Sequence, residues 1–379
     1  MSQKRSIFEE VSGDQPAQPA AQPGMIDAKS RGARGAIRIW LGILFALVVV
    51  MILVGGLTRL TDSGLSITEW NLVTGALPPM NDAAWQSEFA KYQQIPEFQL
   101  QNHAMDLDGF KSIYWWEWGH RFLGRFIGLV WAIGFFWFLI RKQIPVGWTQ
   151  RLLVLGALGG LQGAIGWWMV SSGLTGRVVD VASYRLAIHL GLAFIILGLI
   201  AWHMMGLAQP EAALMKARRG KDKKLFSMGT GLMHFAFLQI LLGALVAGID
   251  AGRGYIDWPY MGGQIIPDDM FMLVPAWTNF FENAALTQFI HRLAGYLLLI
   301  FAIIAWRKSR ASGNSFTKGA FTVVLAMMGM QAVLGIVTVM NAAPLHLAIV
   351  HQLGAIVLWV MILRARFAAL HPKEQSVRD

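Results

Sequence analysis

The sequence is dominated by long apolar stretches that contain no Asp, Glu, Lys or Arg, and such stretches restrict a chain to a membrane. They cover residues 39–58, 152–176, 186–210, 225–249 and 319–363. About 20 apolar residues form a helix that crosses the hydrocarbon core, so the last stretch is long enough for two helices. Its middle, Asn341-Ala-Ala-Pro344, is typical of a turn. Two further apolar stretches that carry arginine, 118–140 and 286–306, bring the predicted spans to eight.

Composition agrees with a multi-pass membrane protein. Charged residues make up only 14% of the chain, whereas a soluble domain has about 25%. The absence of Cys excludes disulfides, thiolate metal sites and thioether attachment of haem. The net charge of +10 comes from Lys and Arg in both tails and in alternate loops, a pattern typical of cytoplasmic segments. We therefore predict that both termini are cytoplasmic and that nucleic acid is not a partner.

The two halves of the chain repeat one another in order, which predicts an internal duplication. Each half holds four predicted spans, so the halves share one orientation. The predicted fold class is an all-α membrane protein of eight transmembrane helices, arranged as two tandem four-helix bundles related by a pseudo-twofold axis along the membrane normal. The matched pairs are Asp62 and Asp250, Gly64 and Gly252, Trp70 and Trp258, Pro78 and Pro267, His120 and His291, Gln162 and Gln331, Gly166 and Gly335, and His189 and His351.

The predicted organisation places two membrane domains between polar segments. Residues 1–35, rich in Gln, Pro, Ala and Gly, are expected to form a disordered cytoplasmic tail. The N-terminal bundle covers 36–210 and the C-terminal bundle covers 227–368. A basic cytoplasmic linker over 211–226 joins them, and 369–379 form a second cytoplasmic tail.

Four of the nine histidines repeat between the halves, namely His120, His189, His291 and His351. Each lies within about two turns of the outer end of its predicted span, so the four share one depth near the outer face. Two histidines from two helices of one bundle can hold a flat macrocycle with an iron at its centre. Two alternatives stay open: buried hydrogen bonding between helices, and metal binding without haem. The other histidines, His103, His203, His234, His346 and His371, are not expected to ligate iron.

Residues beside these histidines support the interpretation. Gly124 and Gly295 each follow a histidine by four positions and share its helix face, so that a ring can approach closely. Arg121 and Arg292 directly follow the same histidines, near the surface, where a guanidinium can reach propionates.

The two halves differ one turn before the first histidine of each. Glu117 lies three residues before His120, and Gln288 lies at the matching position before His291. An ionisable group at this depth is costly, so the difference predicts one reactive and one static site. The alternative is a carboxylate that only pairs with Arg121 or Arg125.

These residues together resemble the haem A synthase family. The segment Glu117-Trp-Gly-His120-Arg121 is similar to the family's E-x-x-H-R motif, and the other three repeated histidines match the family's. The stretch Gly-Leu-Thr-Arg59-Leu-Thr-Asp-Ser-Gly-Leu-Ser after the first span is similar too. The resemblance covers roughly 36–368, which is all of the chain except its tails.

The resemblance implies oxidation of the C8 methyl of haem O to a formyl group by successive hydroxylations, which gives haem A for cytochrome oxidase. It implies that His291 and His351 ligate a non-covalent haem b cofactor, with Arg292 binding it as well.

For the other half, the resemblance implies that His120 and His189 hold the substrate haem, with Arg121 beside it. Glu117 matches the family's catalytic carboxylate, which stabilises positive charge on the methyl carbon or accepts its proton.

Some members of the family carry a cysteine pair in the first external loop, and this chain has none, so a thiol-dependent electron route is excluded.

The expected partners are haem O and haem A, membrane lipid, an electron donor of the ferredoxin or quinol type, haem O synthase and oxidase assembly factors. The lack of cysteines is similar to the proteobacterial and mitochondrial branch. Because the N-terminal tail is not rich in Arg and Ser, we expect a bacterial inner membrane, with the haem sites near the periplasmic side.

Two other functions compete with this reading. The first is a dihaem cytochrome b-type subunit that only transfers electrons, which would need no carboxylate beside one ligand. The second is a transporter built from duplicated bundles, although no predicted span is interrupted by Gly or Pro at the histidine positions.

Overall fold

The computed structural model describes residues 25–176 and 179–374, with side chains from residue 33 onward. Within these residues the protein is all-helical, and the only extended pairing is an isolated bridge between Met261 and Gln264. The helices in chain order are α1 (Met25–Leu60), α2 (Asp82–Tyr92), α3 (Pro96–Leu100), α4 (Leu107–Ile140), α5 (Thr149–Val170), α6 (Ser183–Leu207), α7 (Glu211–Arg219), α8 (Lys223–Gly248), α9 (Asn279–Glu282), α10 (Ala284–Ser309), α11 (Ser315–Met340) and α12 (Leu345–Leu370).

Eight of these helices are long and apolar enough to cross a membrane, which confirms the predicted number of spans. They are α1, from Ala33 onward, and α4, α5, α6, α8, α10, α11 and α12. The predicted turn separates α11 from α12, where Ala342 and Ala343 both have left-handed backbone angles. Pro344 then precedes the first turn of α12, where its missing N–H leaves no hydrogen bond unmade.

The packing of the spanning helices follows a circular order within each half. In the first half α1 packs against α4 and α6, and α5 packs against the same two helices. In the second half α8 and α11 each pack against both α10 and α12. Contacts between the halves join α6 to α8, α6 to α12, and α1 to α12. The four helices at this junction therefore form the centre of the protein, and α4, α5, α10 and α11 lie outside them.

Helix α1 begins at Met25, within the segment 1–35 for which the sequence predicts a cytoplasmic tail. Ala, Lys and Arg are good helix formers, and several of them continue the helix outward from the apolar span. The rest of the predicted tail, residues 1–24, lies outside the described residues, as do 375–379 at the other end.

Helix α4 extends much further outward than the sequence predicted. The apolar stretch begins at residue 118, but the helix begins at Leu107, where the Asp106 side chain accepts a hydrogen bond from the Gly109 N–H. The added turns carry Phe110 and Tyr114, which are buried against α2 and α3. His120 therefore lies in the fourth turn of its helix and not in the first two.

A compact aromatic cluster, here called the outer lobe, surrounds these added turns. It consists of α2, α3 and the first turns of α4, and its buried residues are Leu65, Trp85, Phe89, Tyr92, Ile95, Phe110 and Tyr114. Trp85 meets Tyr114 edge to face with ring centroids 5.0 Å apart, and Tyr92 lies 5.3 Å from Phe110. The lobe covers the end of the first half at which His120 lies.

Candidate functional site

The four repeated histidines lie on α4, α6, α10 and α12, and each ring rests against a glycine of a neighbouring helix. A Cβ atom added to any of these glycines would lie 2.8–3.2 Å from a ring atom, closer than normal packing permits. The pairs are His120 with Gly55, His189 with Gly166, His291 with Gly243, and His351 with Gly335. The same contact is thus made four times, and glycine is what allows each ring to lie so close to the next helix.

A glutamine amide accompanies three of the four rings. Gln239 Nε2 lies 3.1 Å from His291 Nδ1 and donates to the His291 carbonyl oxygen at 2.9 Å. Gln331 repeats this arrangement at His351, with distances of 3.1 and 2.6 Å. Gln162 donates to the His189 carbonyl oxygen at 2.9 Å and lies 3.3 Å from Nδ1. The Oε1 atom of each of these glutamines is buried and has no hydrogen-bond partner.

Gly124 and Gly295 contact side chains of neighbouring helices, and the close approach of a ring to them stays a prediction. A Cβ on Gly295 would lie 3.3 Å from Gln239 Nε2, and one on Gly124 would lie 3.4 Å from the Met51 methyl group. These two glycines therefore make room for side chains of α8 and α1. In the sequence, Gln162, Gln331, Gly166 and Gly335 stand out only as repeats without a predicted role. Gln239, Gly55 and Gly243 were not predicted at all.

Glu117 is 2% exposed, and hydrogen bonds reach both of its carboxylate oxygens. Ser66 Oγ and the Ile67 N–H each donate to Oε2 at 2.8 Å. Arg121 donates to Oε1 from Nε at 3.0 Å and from Nη2 at 2.6 Å. The pairing with Arg121 left open by the sequence is thus present, whereas Arg125 bonds the carbonyl oxygens of Asn71 and Leu72 instead.

The two arginines that follow the histidines fasten the outer loops to the helices. Arg121 donates to the carbonyl oxygens of Ile67 and Glu69. Arg292 donates in the same way to Tyr255 and Asp257, and also to Gln288 Oε1 at 3.1 Å. Because Gln288 also donates to the Ala251 and Tyr255 carbonyl oxygens, it fills the place of Glu117 in the second half. Apart from Glu117 and Gln288, the acceptors of both arginines are carbonyl oxygens of these loops.

Two contacts join the halves near the histidines. Arg59, 10% exposed in its side chain, lies 2.8 Å from Asp62, 3.0 Å from Asp250 and 3.5 Å from Asp180. Gln352, next to His351, donates to the Ile52 carbonyl oxygen on α1 at 2.9 Å, over Gly56.

The other histidines are not combined into a metal site. Within 25–176 and 179–374, no group of three or more His, Asp or Glu side chains is arranged to hold a metal ion. The buried His203 lies 5.6 Å from the Trp148 ring, towards the other end of α6. The repeated histidines come in pairs, His120 with His189 and His291 with His351, which lie within electrostatic range of each other.

Comparison with known proteins identifies the family. The COX15-CtaA family model, described as cytochrome oxidase assembly protein, matches residues 38–363. The chain belongs to this family. The matched region contains all four repeated histidines, Glu117 and the three glutamine partners.

Several curated proteins resemble the chain from end to end. A protein from Ruegeria sp. strain TM1040 named heme A synthase is 63% identical over 376 residues, which cover 99% of each chain. The heme A synthase of Roseobacter denitrificans is 61% identical over the full length of both chains. That of Paracoccus denitrificans is 60% identical over 99% of this chain and 98% of its own.

Proposed function

We propose that this protein is a haem A synthase, a membrane enzyme that oxidises the C8 methyl of haem O to the formyl group of haem A. The observation that carries the proposal is the full-length identity of 60–63% to proteins named heme A synthase. The paired histidines, each placed against a glycine, are the residues of this chain suited to such a substrate.

We propose that the two halves are tandem four-helix bundles with different roles. His291 and His351 would hold a haem b cofactor in the C-terminal bundle, over 227–368, and His120 and His189 would hold the substrate haem in the N-terminal bundle, over 36–210. The matching circular packing order of the helices, and the matching bonds of Arg121 and Arg292, support a pseudo-twofold relation between the bundles. Haem b supplies reversible one-electron chemistry when it is bound.

The packing of the repeated histidines fits haem ligation. A contact glycine limits the movement of each ring. Gln162, Gln239 and Gln331 hold three of the histidines further, because each donates to the histidine carbonyl oxygen.

For Glu117 we propose the catalytic role, namely stabilising positive charge at the methyl carbon or accepting its proton. Its carboxylate is held in place by hydrogen bonds from Ser66, Ile67 and Arg121 before any substrate arrives. Such a fixed charge needs no reorganisation during the reaction. Glu117 also lies one helical turn outside His120 on the same face of α4.

We also propose that the protein lies in a bacterial inner membrane, with both termini cytoplasmic and the haem sites towards the periplasm. Lys and Arg lie at the ends of the helices that include Arg34, Arg141 and the basic α7. The acidic group of Asp62, Asp180 and Asp250 lies at the opposite ends, in the loops after α1, before α6 and after α8. Haem O synthase, an electron donor and oxidase assembly factors are the partners that this function requires.

The test is an analysis of the pigments carried by the purified protein. We would express the chain with a source of haem O, purify it in detergent, extract the haems and separate them by chromatography. Haem A, or its alcohol precursor, together with haem B is the expected result. Two haem B per chain and no oxidised haem would instead indicate the dihaem electron-transfer cytochrome. A folded protein without haem would contradict the assignment of all four histidines.

A further inference from the structure

We propose that the seam between α4 and α5 binds the isoprenoid side chain of haem O. The inference rests on the proposed function, because that function makes haem O the substrate and places it between His120 and His189. Haem O carries a long isoprenoid chain on its macrocycle, whereas haem b carries none. The first half therefore needs an apolar site beside its histidine pair, and the second half does not.

Among the described residues, the seam between α4 and α5 is the loosest contact between neighbouring helices within either half. Every other neighbouring pair packs more closely, including α10 and α11, which correspond to α4 and α5 in the repeat. In the apolar windows of α4 and α5 only 11% of residues are buried, against 22% in α10 and α11. The first half is thus most open on the side that faces away from the centre of the protein.

Two glycines, one on each helix, leave this seam unfilled. Nothing lies within 4 Å of a Cβ atom added to Gly128 on α4 or to Gly159 on α5. In the second half the matching positions, at the offsets of the repeated histidines and glutamines, hold Leu299 and Met328. Met328 is 4% exposed, and Leu299 packs against the main core. The second half therefore fills with two large apolar side chains the space that the first half leaves open.

Aromatic side chains bound the seam at both ends. At the inner end the Trp131 indole of α4 donates to the Leu152 carbonyl oxygen at 3.1 Å, and its ring lies against Gly156 of α5. At the outer end Trp70 stacks on Trp167 of α5, with ring centroids 5.8 Å apart. The seam is therefore a space of limited length, and the two helices do not simply diverge.

The seam lies where the isoprenoid chain would leave the macrocycle. Gly128 follows His120 by eight residues, which places it about 12 Å further inward along α4. Gly159 lies seven residues inward from Gly166, the glycine that the His189 ring contacts. In haem O the propionates and the isoprenoid chain are attached on opposite sides of the macrocycle. With the propionates directed outward, to the arginine that follows His120, the chain is directed inward, to the seam.

The test compares the affinities of the first half for haem O and for haem B. We would titrate the full-length protein, carrying haem b only in its second half, with either haem in detergent and follow the absorbance. The wild-type protein should bind haem O more tightly than haem B. Gly128→Leu and Gly159→Met introduce the side chains of the second half, and each should weaken haem O binding by about tenfold to a hundredfold. Haem B has no chain to displace, so its affinity should stay unchanged.

Two controls accompany the titration. Gly329→Met on α11 is the matched control, because nothing lies within 4 Å of its added carbon either, but it belongs to the second half. It should leave the affinity for haem O unchanged. His120→Ala should lose both haems, which identifies the titrated site. The haem b spectrum of the second half should be the same in all variants, which shows that each is folded.

Three results would overturn the inference. Equal affinities of the wild-type protein for the two haems would mean that the chain makes no contact. Equal losses of haem O and haem B in Gly159→Met would mean that the space holds the macrocycle and not the chain. Unchanged haem O affinity in both seam variants would mean that lipid alone fills the seam. Because the titration needs no turnover, a preference for haem O without formation of haem A would contradict the proposed function and not this inference.

Discussion

The two halves place different side chains in the same position, and the comparison separates what the fold needs from what the chemistry needs. Glu117 and Gln288 both accept a hydrogen bond from the arginine four residues later, and both bond the loop that follows the first helix of their half. A neutral amide is therefore sufficient to fasten this loop. The negative charge of Glu117 is an addition that the fold does not require, although burying it is costly.

The largest expected effect comes from removing one ligand from each half. His291→Ala should abolish the haem b spectrum, because a ring ligand is lost from the pair with His351. His120→Ala should keep that spectrum and lose the substrate haem. Absorbance spectra and extracted pigments of the two purified variants test this division. Retention of haem b in His291→Ala would reverse the assignment of the halves.

Converting the first half into a copy of the second should abolish turnover without unfolding the site. Glu117→Gln retains a partner for Arg121, as Gln288 does for Arg292, but it removes the charge. We expect methyl oxidation to fall by about 10²–10⁴-fold, the usual contribution of an acid–base group, while haem content stays normal. Formation of haem A per unit time measures it, with Gln288→Glu as the reciprocal control. Wild-type activity in Glu117→Gln would mean that Glu117 only holds the loop against the helix and has no catalytic role.

Replacing the glycines that contact the histidine rings should weaken haem binding to different degrees. A Cβ on Gly166 would lie 2.8 Å from His189 Cε1, and one on Gly335 would lie 3.1 Å from His351 Cε1. Both substitutions to Ala should displace the ring and weaken haem binding, Gly166→Ala by about tenfold and Gly335→Ala by less. Haem titration of each variant checks this order. Gly163→Ala on the same helix is the control, because nothing lies within 4 Å of its added carbon. Equal affinities in all three variants would mean that the rings can move without cost.

The smallest effect on haem binding and turnover concerns the outer lobe, which only the first half carries among the described residues. Glu97 is 3% exposed, and burial, with Asp180 and Glu117 as further causes, raises the pKa of its carboxyl to about 8. The folded lobe therefore binds a proton that the unfolded chain releases near its ordinary pKa of 4.5. Its stability should be full at low pH and should fall by up to about 1.4 kcal/mol per pH unit as pH rises towards 8.

Hydrogen exchange of α2 and α3 between these pH values measures the effect in the lobe. The measured quantity is the protection factor, which corrects for the intrinsic dependence of exchange on pH. In Glu97→Gln the dependence of this protection factor on pH should disappear, and α10 should show no such dependence in either protein. A lobe that becomes more protected as pH rises would contradict the sign predicted for Glu97.

The sequence predicted best what depends on apolar length and on repetition. These patterns predict the eight spans, the turn before Pro344 and the repeated histidines. Each of these features depends on neighbouring residues or on matching positions in the two halves. The outward extension of α4 was missed because its added turns are held by contacts with α2 and α3, which no local pattern records.

The partners of the histidines could be predicted only in part. Gln162 and Gln331 stand out as repeats, but a repeat does not say which side chain an amide contacts. The position in the first half that matches Gln239 is Met51, so comparison of the two halves does not reveal Gln239 as a repeated residue. The contacts of Gly124 and Gly295 with Met51 and Gln239 were missed for a similar reason, because the helix face alone does not tell which neighbouring helix packs against it.

The bond from Gln352 to the Ile52 carbonyl oxygen has a consequence for synthesis of the protein. It joins α12 to α1 across 300 residues of chain, so the centre of the protein is completed only after α12 has been synthesised. Until then His351, which lies on α12, is missing as well. The haem site proposed for the second half therefore cannot form before this helix enters the bilayer.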